Sequence, residues 1–93
     1  MTAKEWTRIF KGLGNENRLK IVKMLYPDRL MTVSEVKNRL GISFKWTSAN
    51  LSRLAQLGIL ERDGRGDRIV YYINPKLEHP LFRLLREFLP DVY

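Results

Sequence analysis

The stretch Gly41-Ile42-Ser43-Phe44-Lys45-Trp46-Thr47-Ser48-Ala49-Asn50-Leu51-Ser52-Arg53-Leu54-Ala55-Gln56-Leu57-Gly58 decides the fold. Ser43 is a residue type that caps helix starts by accepting from a free first-turn amide, and Gly58 supplies a left-handed stop. The spacing therefore predicts a helix over about 44–57. Thr47, Leu51 and Leu54 recur at helical intervals and form its inner stripe. At about 100° per residue, Lys45, Ser48, Ala49 and Ser52 then project to the opposite side, with Trp46 and Arg53 on a shoulder. This outward face carries two cations and two hydroxyls and no acid. A plain solvated helix is the competing reading, but such helices usually mix both signs of charge, so the missing acid points to an anionic partner.

Upstream, Thr32-Val33-Ser34-Glu35 has capping-box spacing, with Val36 and Leu40 four apart behind it. Gly41 ends that short helix, and only Gly41-Ile42-Ser43 separates it from the next. Before it, Asn15 can cap a helix with Glu16 in its first turn and Leu19, Val22, Leu25 and Tyr26 on one face. Ile21 and Met24 point elsewhere, so this helix is apolar on more than one side and belongs at the centre of the core; Pro27 ends it. Trp6, Ile9, Phe10 and Leu13 mark a first amphipathic helix over about Thr2 to Leu13.

Downstream of Gly58 the period changes to two. Ile59-Leu60-Glu61-Arg62 reads as a short strand, Asp63-Gly64-Arg65-Gly66-Asp67 as a Gly-rich turn, and Arg68-Ile69-Val70-Tyr71-Tyr72-Ile73 as a second strand. After Asn74-Pro75, a last helix starts at His79-Pro80, carries Leu81, Phe82, Leu84, Leu85, Phe88 and Leu89, and stops at Pro90. The expected fold is mainly α with a β-hairpin wing, in the order α-α-α-α-β-β-α. Two helices on a short link followed at once by a hairpin make a winged helix-turn-helix. One domain spans residues 1–93, with the helix-turn-helix over about 33–57, the wing over about 59–73 and a C-terminal helix over about 80–89.

Composition narrows the function classes. The chain has 93 residues, an apolar share of 44%, a charged share of 29% and a net charge of +7. Residues 1–38 hold eight basic and four acidic side chains, 39–68 six and three, and 69–93 three of each. The positive excess thus lies before Ile69, as expected for a nucleic-acid-binding surface there. With no cysteine, neither a disulfide framework nor a thiolate metal site can form. The single histidine, His79, sits beside a proline, where a capping or surface role is the plainer reading. No His–carboxylate pair or phosphate loop suggests catalysis, so no enzyme and no cofactor is expected. Without a signal-peptide core or an apolar run approaching ~20 residues, a cytoplasmic location is expected.

Within this frame Lys45 can donate to guanine acceptors or phosphate, Ser48 and Ser52 to either, and Ala49 allows close approach to a thymine methyl. Trp46 has two readings, an indole N–H donated to phosphate or packing into the core against the wing. Phe44 leans toward the core. Arg65, expected at the wing tip between two glycines, can reach a minor groove or phosphate, flanked by Arg62 and Arg68. Asp63 and Asp67 are placed to pair with these arginines and weaken the wing as a cationic probe.

The run Leu13-Gly14-Asn15-Glu16-Asn17-Arg18-Leu19-Lys20-Ile21-Val22-Lys23-Met24-Leu25 resembles the second-helix signature of ArsR-like transcriptional regulators. The run from Gly41 to Leu60 resembles their recognition helix, and Gly64-Arg65 with Val70-Tyr71-Tyr72 their wing. The resemblance implies a sequence-specific regulator, acting as a repressor, that binds double-stranded DNA at a palindromic operator as a homodimer. It implies a dimer interface on the first and last helices, drawing on Trp6, Ile9, Phe10, Leu81, Leu84, Leu85 and Phe88. The apolar circumference of the last helix favours this independently, and its short span before Pro90 with few basic residues argues against a membrane surface. Thr32 and Ser34 stand where metal-sensing members carry a cysteine box, so metal sensing is not expected. The alternatives are a winged-helix protein-interaction module and a DNA-binding architectural protein without base readout.

Overall fold

The computed structural model describes residues 1–77 and 79–92. Four helices come first, interrupted by a two-residue strand: α1 (Ala3–Leu13), α2 (Glu16–Leu25), β1 (Met31–Thr32), α3 (Val33–Leu40) and α4 (Phe44–Gln56). The hairpin β2 (Leu60–Arg65) and β3 (Arg68–Ile73) follows, then α5 (His79–Phe88) and a 3-10 turn over Leu89–Asp91. Among the described residues no helix is long and apolar enough to cross a membrane.

The first four helices begin where a side chain can satisfy a free amide. Thr2, Asn15, Thr32 and Ser43 accept from Glu5, Arg18, Glu35 and Trp46 N–H, respectively. At α3 the cap is reciprocal, because the Thr32 N–H also donates to Glu35 Oε1 at 2.9 Å. Gly41 and Gly58 take φ values of 72° and 77°, the left-handed stops that free the chain to turn into α4 and out of it.

As its apolar residues require, α2 is central: Ile21, Val22 and Leu25 are completely buried. Leu51 and Leu54 of α4, Val36 of α3, Ile59, Leu60 and Leu85 join the same cluster. Burying one such side chain stabilises by about 1.5–3 kcal/mol, so exposing the α2 face is not an option for a small domain.

The sheet differs from the expected bare hairpin in two ways. It has three strands in the order β1-β3-β2, all antiparallel, with Met31 opposite Tyr71 and Thr32 opposite Val70. Two residues cannot display an alternating pattern, so β1 left no periodic trace in the sequence. The hairpin ladder also runs beyond Arg62, to the pair Arg65 and Arg68. The turn is therefore Gly66-Asp67 rather than the five residues from Asp63, with Gly66 at φ 67° in the position a two-residue hairpin reserves for glycine.

The capping box at α3 yields a pH-dependent expectation. The Thr32 backbone N–H, then its side chain, hold the Glu35 carboxyl below its ordinary pKa, with smaller help from Arg68 and Arg39. A carboxyl depressed in the folded state stabilises above its unfolded pKa, and that contribution fades as pH falls through the folded value. Thr32→Ala should cost about 1 kcal/mol, a drop of roughly 4–8 °C in Tm by thermal denaturation. Glu35→Ala should lower Tm at neutral pH, with the gap to the parent closing below about pH 4.

Candidate nucleic-acid interface

The outward face of α4 is built by burying its other side. Thr47, Asn50, Leu51 and Leu54 point inward and are buried. Thr47 donates from its hydroxyl to the Ser43 carbonyl at 2.8 Å, which lets a polar residue sit in the core stripe. What remains outward is Lys45, Trp46, Ala49 and Arg53, all exposed, with Ser48 and Ser52 half-buried on the wing-side flank. Ser52 shares a shallow cleft with Leu60, Glu61 and Arg62, so it sits deeper than its helical position alone suggests. Among the described residues no acidic side chain forms a salt bridge with Lys45 or Arg53.

Of the two readings of Trp46, packing into the core against the wing is excluded: the side chain is 64% exposed. Phe44 departs from expectation. As the first residue of α4 it lies beyond the edge of the core and is 53% exposed, beside a cleft shared with Val33 and Ile69. The helical angle pointed inward there, but no packed layer continues past the first turn of the helix.

The wing carries three arginines, Arg62, Arg65 and Arg68, balanced by Glu61, Asp63 and Asp67, and its cations are partly restrained. Arg65 closes β2, and its Nε donates to Asp63 Oδ2 at 3.1 Å with both side chains largely exposed. Arg62 lies over the Tyr71 ring, 5.9 Å from its centroid. Arg68 lines the cleft with Phe44 and Ile69, together with Asp67 and Glu35. The restraint expected from Asp63 is thus present; the guanidinium face of Arg65 is still open to solvent.

A second surface lies on α1 and α5. Trp6 and Phe10 stack with ring centroids 5.6 Å apart, and Phe10 is 55% exposed. Phe10, Leu13, Leu84 and Phe88 line an apolar cleft of about 300 Å³. Ile9, Leu81 and Leu85, expected on a partner surface, are instead buried in the chain's own core, because one stripe of each helix must cover α2 and the sheet. The apolar surface left for a partner is Trp6, Phe10, Leu84 and Phe88.

Two residues outside the expected set belong to this architecture. Asn50 is a buried amide in the inner stripe of α4, and Arg18 on α2 donates to it from Nη1 at 3.2 Å. A polar residue at the helical spacing of Thr47, Leu51 and Leu54 was the available signal.

The geometry defines a winged helix-turn-helix domain with an acid-free recognition helix. Relatives agree. The cadmium resistance transcriptional regulatory protein CadC of Listeria innocua is 36% identical over 64 residues, covering 69% of this chain and 54% of that protein. CadC of Lactococcus lactis matches to the same extent, so the chain spans about half the length of the curated relatives it matches. The homodimeric winged helix-turn-helix DNA-binding domain of a possible ArsR-family regulator from Mycobacterium bovis superposes with a TM-score of 0.79 at 27% identity, covering 95% of this chain and 81% of that one. The transcriptional repressor PagR of Bacillus anthracis does so with 0.72 at 26%, covering 88% and 93%. A scan against protein-family models finds none that matches. The chain belongs to the ArsR-like family of winged helix-turn-helix transcriptional regulators.

Its donor set does not fit the soft metal in the name of CadC. No cysteine is available, the Thr32 hydroxyl is committed to the α3 cap, and no group of three or more His, Asp or Glu side chains gathers among the described residues.

The exposure of the two indoles gives a direct check. With Trp6→Phe leaving Trp46 alone, acrylamide should quench the fluorescence efficiently and emission should sit in the solvent-exposed range. With Trp46→Phe leaving Trp6, quenching should be weaker. Equal quenching of the two would contradict the surface placement of Trp46.

Proposed function

We propose that this chain is a homodimeric regulator of transcription that reads double-stranded DNA with α4 in the major groove and the wing on the adjacent minor groove or backbone. The observation that carries the reading is the outward face of α4: exposed Lys45, Trp46, Ala49 and Arg53, half-buried Ser48 and Ser52, and no acid among them. A buried inner stripe keeps that face turned outward, where side chains can reach base edges. Lys45 and the two serines can donate to base edges or phosphate, and Ala49 leaves room for a thymine methyl. Trp46 can donate its indole N–H to phosphate, and Arg53, Arg62, Arg65 and Arg68 supply further phosphate contacts.

The apolar surface of Trp6, Phe10, Leu84 and Phe88 supports self-association, which would present two reading faces to a two-fold symmetric operator. Occupying such a site can exclude other proteins from it, and the name of PagR favours repression. Action on DNA calls for the compartment that holds the chromosome, in keeping with the expected cytoplasmic location. The acid-free face weighs against the protein-interaction alternative.

Binding should weaken steeply with salt, log K falling by about 0.9 for each phosphate neutralised. Lys45→Glu should abolish preference for the best sequence, and Arg65→Ala should weaken all sequences alike and flatten the salt slope. Asp63→Asn, which releases Arg65, should strengthen binding to random DNA at low salt. Unchanged affinity of Lys45→Glu for the best site, by fluorescence anisotropy, would remove α4 from the reading role.

A further inference from the structure

Arg18, although part of the Leu13-to-Leu25 signature, contributes nothing to the DNA-facing surface. Its side chain turns inward and joins three helices. From α2 it donates from Nε to the Gly12 carbonyl of α1 at 2.5 Å and from Nη1 to Asn50 Oδ1 of α4 at 3.2 Å. Asn50 in turn donates from Nδ2 to the Trp46 carbonyl at 2.9 Å. Asn50 is 8% exposed, and no buried side-chain polar atom among the described residues lacks a partner.

Gly12 meets α4 a second time. A methyl group at Gly12 would overlap Cδ1 of Leu57, the tip of the side chain at the C-cap of α4, so Leu57 seats directly on the Gly12 backbone at the end of α1. One residue of α1 is thus tied to α4 at mid-helix through Arg18 and Asn50 and at its end through Leu57. The two ties differ in kind. The apolar stripe of α4 is held by non-directional contacts that tolerate small rotations, whereas a guanidinium fork fixes the direction of both its hydrogen bonds. The same α1 carries Trp6 and Phe10.

We propose that Gly12, Arg18 and Asn50 are positioning residues that lock the recognition helix to the dimer helix and thereby set the separation of the two reading faces. The proposal rests on the homodimeric DNA-binding reading above. In a two-fold dimer any rotation of α4 relative to α1 is duplicated in the partner, so loosening the tie changes the distance between half-sites that the dimer fits best. Arg18 and Asn50 touch no DNA in this arrangement; they act through α4.

The test uses the full chain, an operator selected from random DNA, and probes with one base pair added or removed between half-sites. It is run above the concentration at which sedimentation shows a complete dimer. The parent should prefer its own spacing by roughly ten-fold or more, since half-site spacing follows dimer geometry. Arg18→Met and Asn50→Leu should reduce that preference to about three-fold or less, and the double variant should flatten it no further than either single one. Asn50→Asp gives up the donor to the Trp46 carbonyl, a bond internal to α4, but keeps the acceptor for Arg18 and should keep the preference. Folded, dimeric variants that retain the parent's preference overturn the proposal, as do single effects that add. Where Arg18→Met does not fold, Arg18→Lys takes its place: one ammonium cannot span both acceptors, the same flattening is expected, and an unchanged preference is again contrary. If the parent selects no DNA sequence, it is the regulator reading that fails. The tie is then measured in the free protein, where Arg18→Lys should accelerate amide exchange across α4 relative to α5, and unaltered exchange overturns it.

Discussion

Thr47, Leu51 and Leu54 press one side of α4 into the cluster formed by Ile21, Val22 and Leu25 of α2, and that burial dictates what the other side can do. A helix held by one face cannot roll to hide its remaining side chains. Truncating Leu51 to Ala would cost about 2–5 kcal/mol, a large share of the roughly 5–15 kcal/mol that keeps a domain of this size folded. Lys45, Trp46, Ala49 and Arg53 therefore stay in water until something else meets them. Exposing an indole on a rigid scaffold makes physical sense when a partner surface covers it.

The remaining elements serve that helix. The reciprocal Thr32–Glu35 cap and the left-handed Gly41 fix α3 and the tight link into α4. The left-handed Gly58 releases the chain into β2, whose pairing with β3 carries Arg65 to the end of the ladder. α1 and α5 cover the core with Ile9, Leu81 and Leu85 and keep Phe10, Leu84 and Phe88 at the surface. The same two helices thus close the core while leaving Phe10 exposed and Leu84 and Phe88 half-buried.

Most of this order is legible in the residues themselves. Helix starts at Asn15, Thr32 and Ser43, the stops at Gly41 and Gly58, and the inner stripe of α4 are local signals, and local chemistry decides them. What escaped detection depends on tertiary geometry. β1 is too short to alternate and exists because β3 offers an unpaired edge to Met31 and Thr32. The hairpin turn shrank to Gly66-Asp67 because pairing continued through residues that read as loop. Phe44 has a core-like helical angle but no core beyond it. Which stripe of α1 and α5 faces inward also could not be divided from sequence, since both helices carry more apolar residues than one packing face uses. The spacing of Asn50 with Thr47, Leu51 and Leu54 marks it as inward-facing, but its bond to Arg18, 32 residues away, leaves no periodic mark.

The central claim is that a two-fold pair of acid-free α4 faces reads DNA sequence. Selection of bound fragments from a random double-stranded pool, sequenced after several rounds, tests it most directly. The account predicts a consensus of two inverted half-sites whose centres lie about one helical turn, 10–10.5 base pairs, or a multiple of it apart. Enrichment of no sequence, or of a single half-site without symmetry, would contradict it.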